Sequence, residues 1–142
     1  MSLHAIAQRL RYMMVAKGRH GTHSPFVYAF VENVTQSPHT AALPGSKYER
    51  LLMRIREHYG CPVILLTGEP AAWGKQVTQH LPALQAGSMI AVPGIHDTAA
   101  HTHAWDALCA NAGVSMSIDL YGMGLLISKP EFKEKQHFVV SY

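Results

Sequence analysis

The spacing of apolar residues changes about sixty residues into the chain. Before that point they recur every three or four positions, and after it they gather into five short, nearly continuous runs. Leu3, Ile6, Leu10, Met13 and Met14, with arginines between them, predict an amphipathic helix over Leu3 to Ala16, broken by Gly18 and Gly21. Ser24 as N-cap and Pro25 at the first helical position open a second helix, whose inner face is Phe26, Val27, Phe30 and Val34. The polar stretch Thr35 to Gly45, interrupted by Pro38 and Pro44, predicts a linker or mobile loop. Ser46 and Glu49 then form a capping box, and Tyr48, Leu51, Leu52 and Ile55 carry a third helix to His58.

The second part alternates apolar runs with amphipathic stretches, the pattern of a sheet with crossover helices. Strands are predicted at Val63 to Thr67, Ser88 to Val92, Val114 to Leu120, Gly124 to Ser128 and His137 to Tyr142. Helices are predicted from about Trp73 to Leu81 and from an Asp97 N-cap to Asn111. The first two strands show no polar alternation, as expected of strands covered on both faces. A chain of 142 residues fits one domain, with a helical part over 1–58 and an α/β part over 62–142.

Composition narrows the function classes. Hydrophobic residues make up 48% and charged residues 15%, enough apolar surface for a packed core. The net charge is +3, and apart from Arg9, Arg11, Lys17 and Arg19 the basic residues are scattered, with no zinc-finger, RNP or KH pattern. Nucleic acid is therefore not expected as a partner. Cys61 and Cys109 suit reduced, buried thiols better than a disulfide framework. No signal core and no run of about 20 apolar residues is present, so a cytoplasmic protein without a membrane partner is expected.

Two segments resemble a group of bacterial Rossmann-like, S-adenosylmethionine-dependent methyltransferases. One is GRHGTHSPFVYAFVENV, Gly18 to Val34, in which Arg19, His20, Gly21, His23, Ser24, Pro25, Phe26 and Val27 match a helix that precedes the catalytic domain. The other runs from LPALQAGSMIAVPGIHDTAAHTHAWDAL through SIDLYGMGLLISKPEFKEKQHFVVSY, similar to that group's late strand, its helix ending in Ala-Trp, and its Asp-Leu-Tyr and glycine hairpin. The resemblance implies a reduced Rossmann-like, mostly parallel sheet of about five strands, with N-terminal helices and a C-terminal antiparallel hairpin. It also implies a loss. Tyr59-Gly60-Cys61 leads straight into a strand, where the group has a first strand, a glycine-rich turn and an acidic residue for the ribose. Pro93 and Gly94 stand where the group tends to carry paired acids before Ile-His.

Few residues otherwise suggest chemistry. Gly68 to Gln76 is similar to a phosphate-binding loop, but it is one residue too long and Gln76 stands where Ser or Thr must hold magnesium. A strand-to-helix turn using Gly68 is the better reading. His96, Asp97, His101 and His103 form a histidine cluster, of which Asp97 and His101 have the i, i+4 spacing of two ligands on one helix face for zinc or another transition metal. Capping by Asp97 and exposed histidines are the competing reading. His20 and His23 flank Gly21-Thr22 before the Ser24-Pro25 helix start, in a loop-holding or substrate-side role, and Asp119 and Tyr121 shape a turn.

The expectation is a degenerate methyltransferase-like protein without a cofactor, acting through self-association, as a homodimer or larger, or through a protein partner. The alternative is a small enzyme, residual methyltransferase or metal-dependent, or a ligand-binding protein. Its site would lie at the carboxyl end of the sheet, among His20, His23, Ser24, Glu69 and His96.

Overall fold

The computed structural model describes residues 2–8 and 24–142, so the Gly18 to His23 part of the first resembling segment, with His20 and His23, lies outside the described residues. Residues 3–8 are helical. Helix α1 (Pro25–Phe30) begins at the expected place, with the Ser24 side chain accepting from the Val27 amide, and runs on into a π-helical turn, Val31–Thr35. The Thr35 to Gly45 stretch is not a plain loop. Ser37 caps a short helix α2 (Pro38–Ala42), and Thr40 Oγ1 donates to Val34 O at 2.5 Å, burying that side chain. The two prolines misled the reading because Pro38 occupies the first helical position, where its missing N–H costs nothing.

Helix α3 (Lys47–Tyr59) has both halves of the Ser46 and Glu49 capping box and ends on Gly60 in the left-handed conformation. The Glu49 carboxyl is held below its usual range by its hydrogen bonds to Ser46. Strand β1 (Val63–Leu65), helix α4 (Trp73–Gln85), strand β2 (Met89–Pro93), helix α5 (Ala99–Cys109) and strands β3 (Met116–Asp119), β4 (Met123–Ile127) and β5 (Gln136–Val139) complete the chain. Helix α5 is capped by Thr98, not Asp97.

The sheet is mixed, in the order β1-β2-β4-β3-β5. Strands β1 and β2, and β3 and β5, pair parallel, whereas β4 runs against both β2 and β3. Helices lie on both faces. Residues alternate between the two sides along the inner strands: Met89, Ala91, Leu125 and Ile127 pack with Val27, Phe30, Leu51 and Ile55 of the N-terminal helices. Ile90, Val92 and Leu126 pack with Trp73, Val77, Trp105 and Leu108 of α4 and α5. Every residue from Met89 to Val92 and from Met123 to Ile127 is buried, which is why neither run alternates with polar residues.

Phe30 and Trp105 are fully buried, but Phe26, expected beside them, is only half-buried. Its ring stacks on Tyr59 at 5.5 Å and meets Phe132 edge-on at 5.7 Å. The cost of truncation should follow burial. Phe30→Ala is expected to lose about 3–5 kcal/mol in urea denaturation, as core aromatic truncations do, and Phe26→Ala clearly less. Equal losses would mean that the outer aromatic group is as much core as the inner one.

Candidate functional site

Four of the five strands point the same way, and two buried polar residues, His96 and Asp119, stand where β2 and β3 end. Strand β2 leaves the sheet through a turn at Gly94, whose φ of +70° suits glycine, closed by Asp97 N to Gly94 O at 3.1 Å. This turn brings His96 back over the sheet. On the far side of β4, β3 finishes in Asp119, and the two side chains meet: His96 Nε2 lies 2.7 Å from Asp119 Oδ2, with both residues buried. The intervening strand leaves room because Val92, Gly124 and Asp119 form one row across β2, β4 and β3. A Cβ on Gly124 would strike the Trp105 ring, so this glycine also lets α5 settle on the sheet.

Each remaining polar atom of the pair has a partner. Asp119 Oδ1 accepts from the Tyr121 amide at 2.8 Å, and this holds Tyr121 in the left-handed region, at φ 70°, across the β3–β4 turn. Tyr121 is the one non-glycine residue with positive φ among the described residues. Its ring stacks on His96 at 5.8 Å, and its hydroxyl donates to Ala5 O at 2.8 Å. Tyr48 fastens the same turn, donating to Leu120 O at 2.9 Å and accepting from the Gly122 amide at 3.1 Å. His96 Nδ1 lies 2.9 Å from Thr102 Oγ1, which in turn touches Ile95 O at 3.2 Å and His4 Nε2 at 2.7 Å.

Thr102, His96 and Asp119 thus stand in the order hydroxyl, imidazole, carboxylate, the arrangement that activates a nucleophile when the hydroxyl faces a substrate. Here it faces the chain itself. With Asp119 ionised, the Nε2 proton is given to Oδ2. Thr102 has one proton for Nδ1 and Ile95 O, and its lone pairs meet His4. The network therefore joins β2, β3, α5 and the 3–8 segment into one polar centre, with its hydrogen-bonding groups spent inside the molecule.

Of the sequence-predicted set, His96 alone among the described residues belongs to this centre. Ser24 is buried as the cap of α1 and lines a cavity of about 490 Å³ with Phe26, Lys129, Glu131, Phe132 and Gln136. That cavity lies where β4 ends and β5 begins, at the amino end of the parallel strands and opposite His96. Glu69 is exposed and starts the turn Pro70–Ala72 without a side-chain bond. The phosphate-loop-like stretch is a closed turn. Gln76 occupies both backbone groups of Thr67, at 3.2 and 2.6 Å, and Trp73 Nε1 donates to Gly68 O at 3.3 Å, with Gly68 at φ +78°.

The Asp97 and His101 pairing rested on a helix starting at Asp97. Since Thr98 is the cap, Asp97 sits outside the helix and folds back over Gly94, while His101 Nδ1 lies 2.6 Å from Thr98 Oγ1 and its ring is edge-on to Trp73. Among the described residues no three His, Cys, Asp or Glu side chains converge as a metal site would require. Sequence reasoning read Asp119 and Tyr121 as turn residues, which they are, but missed Thr102 and His4. Only the fold brings them within reach of His96.

Both cysteines are free thiols. Burial pushes Cys61 up and Cys109 up to about 11, where Ser117 partly offsets it. Thiolate is thus scarce at neutral pH. Compared with protein-family models, with curated proteins and with solved structures, the chain matches none.

If the centre is interior architecture, Asp119→Ala leaves two buried donors, His96 Nε2 and the Tyr121 amide, without acceptors. It should destabilise by about 2–4 kcal/mol in urea denaturation. His4→Ala, at the rim, should cost less than about 1 kcal/mol. A small loss for Asp119→Ala would show that water or a ligand replaces the carboxylate, and hence that the centre is open.

Proposed function

We propose that this is a methyltransferase-like protein that has given up group transfer and acts by association, with a second copy of itself or with a protein partner. The observation that carries this reading is the closed centre at the carboxyl end of the sheet. Open α/β sheets bind substrates there, yet His96 and Asp119 spend their hydrogen-bonding atoms on Thr102, Tyr121 and each other. The residues also do not suit an adenosyl cofactor. After β1 the turn is taken up by Gln76 and Trp73, and β2 ends in Pro93-Gly94, where the first carboxylate that follows, Asp97, is folded back over the Gly94 turn. The same two strands carry the reduced Rossmann-like reading, since in the resembling group β1 is an inner strand with further strands beyond it.

In this chain β1 has a single described neighbour, β2. Pro62 O and Leu66 N face β2, so by alternation the backbone groups of Val63 and Leu65 face outward. Arg56 Nη2 donates to Val63 O at 3.4 Å, and Leu65 is 45% exposed. A short apolar edge of this kind is a template for pairing, and a two-fold contact satisfies it by self-complementarity.

Two measurements test the reading. Calorimetric titration with S-adenosylmethionine is expected to give no heat of binding, and micromolar affinity would overturn the loss of transfer. Light scattering at micromolar concentration is expected to give about twice 15.6 kDa, and Leu65→Lys, which places a charge on the edge, is expected to give the single-chain mass. A wild-type protein that stays at 15.6 kDa would remove self-association and leave a partner protein as the associating species.

A further inference from the structure

Two exposed large hydrophobic side chains, Met53 at 37% and Leu65 at 45%, lie on neighbouring elements, α3 and β1. Three residues separate the helix from the strand, so the strand runs back along the helix. Arg56 Nη2 reaches Val63 O, and Val63 packs in the same core as Leu51 and Ile55 of α3. Leu65, two residues on, is on that same face by strand alternation. Met53 lies about 4.5 Å back from Arg56 along the helix and Leu65 about 6.6 Å on from Val63 along the strand, so the two stand at similar heights beside the sheet's edge. The other flank of α3 faces the π-helical turn, where Arg54 Nε donates to Asn33 O at 3.0 Å.

Charge indicates what meets this edge. Glu49, Met53 and Arg56 follow one another at i, i+4 and i+7 and form one exposed stripe on the edge side of α3. It reads acid, apolar, base. The hydrogen bonds to Ser46 keep the Glu49 carboxyl ionised. Turned end for end, such a stripe complements itself: Met53 meets Met53, and each Glu49 meets Arg56 of the second copy. A wholly acidic or wholly basic surface would match one end and be repelled by the other. The strand has the same property. With the backbone groups of Val63 and Leu65 facing outward, an antiparallel pair of β1 strands sets Val63 opposite Leu65 and Ile64 opposite Ile64. The centres of the two patterns also agree. The middle of the stripe is about 5 Å from Arg56 along the helix, and Ile64 is about 3.3 Å from Val63 along the strand, so one two-fold axis serves both.

We propose that the second copy is held by α3 as well as by β1. Two chains meet about a two-fold axis at Ile64, their β1 strands pair antiparallel into one sheet of ten strands, five from each copy, and their α3 helices lie antiparallel on the same face of it. Met53 and Leu65 are covered at the centre, and Glu49 and Arg56 pair across the axis at either end. This rests on the self-association proposed above and gives it an axis, a register and a second element.

Sedimentation equilibrium of the full chain, alone and in mixtures, tests it. Met53→Asp sets two carboxylates across the axis and is expected to turn a species of about twice 15.6 kDa into the single chain, with an unchanged circular dichroism spectrum because the side chain is exposed. Glu49→Lys and Arg56→Glu each set like charges against each other and should weaken the dimer on the order of tenfold or more. Mixed in equal amounts, these two variants should pair with each other, since the new base of one then faces the new acid of the other and the native pair forms at the opposite end. Glu49→Lys also removes half of the capping box, but damage to the helix would not be repaired by mixing. A dimer that survives Met53→Asp and Arg56→Glu but is lost in Leu65→Lys would overturn the part given to α3 and leave the edge pairing standing. Single variants that fall apart and stay apart when mixed would overturn the Glu49 and Arg56 pairing. A wild-type chain that stays at 15.6 kDa would overturn self-association and this arrangement with it.

Discussion

A strand covered by helices on both faces has no side on which a polar residue can meet water, and most of this molecule is arranged around that constraint. Strands β2 and β4 carry it furthest, since their side chains supply both cores in alternation. The polar groups needed to fix the loops are therefore pushed to the strand ends. At the carboxyl end they must satisfy one another, because an unpaired buried donor or acceptor costs about as much as several good contacts supply. His96 and Asp119 do so by reaching across β4 at its one glycine position in that row, and Thr102 and Tyr121 absorb what remains.

The same constraint explains what could be read from the sequence. Helix α3, the start of α1, and the strand runs at β1, β2 and β4 follow from local signals: a capping box, Ser before Pro, and apolar runs without alternation. Helix α2 did not show, because a proline that starts a helix and one that breaks a loop look alike until the following residues find a partner. Thr40 finds its partner in Val34. The cap of α5 was placed one residue early for a related reason. Asp97 and Thr98 are both good caps, and the turn at Gly94 uses up Asp97 first.

The polar centre was the least legible part. His96 stood out as a histidine in a cluster, but its true partners are six and 23 residues away in sequence and come from a different helix and strand. Histidines adjacent in sequence were a poor guide, since His101 turns to Thr98 and Trp73 and His103 is exposed. Proximity in sequence on a helix selects side chains four apart. Proximity in an α/β fold selects whatever the strand ends carry, and that depends on strand order, which no local pattern records. The Ile95-His96 and Asp119-Leu120-Tyr121 stretches nevertheless meet in this one bond, which ties the turn after β2 to the end of β3.

Closing the carboxyl end also fixes where the molecule has something left to offer. The interior polar centre consumes the inner side of the 3–8 segment and leaves Leu3 and Ile6 outside. At the other side of the sheet, ending the pairing at β1 leaves Leu65 at an edge. These two apolar positions differ in their electrostatic surroundings. The edge residue sits in a part of the chain whose charges nearly balance, which permits a like surface to approach it. In the sequence, the excess of positive charge lies entirely before Glu32. The proposed self-pairing at β1 would therefore bring nearly neutral stretches together, the condition under which a short apolar edge can approach its own copy.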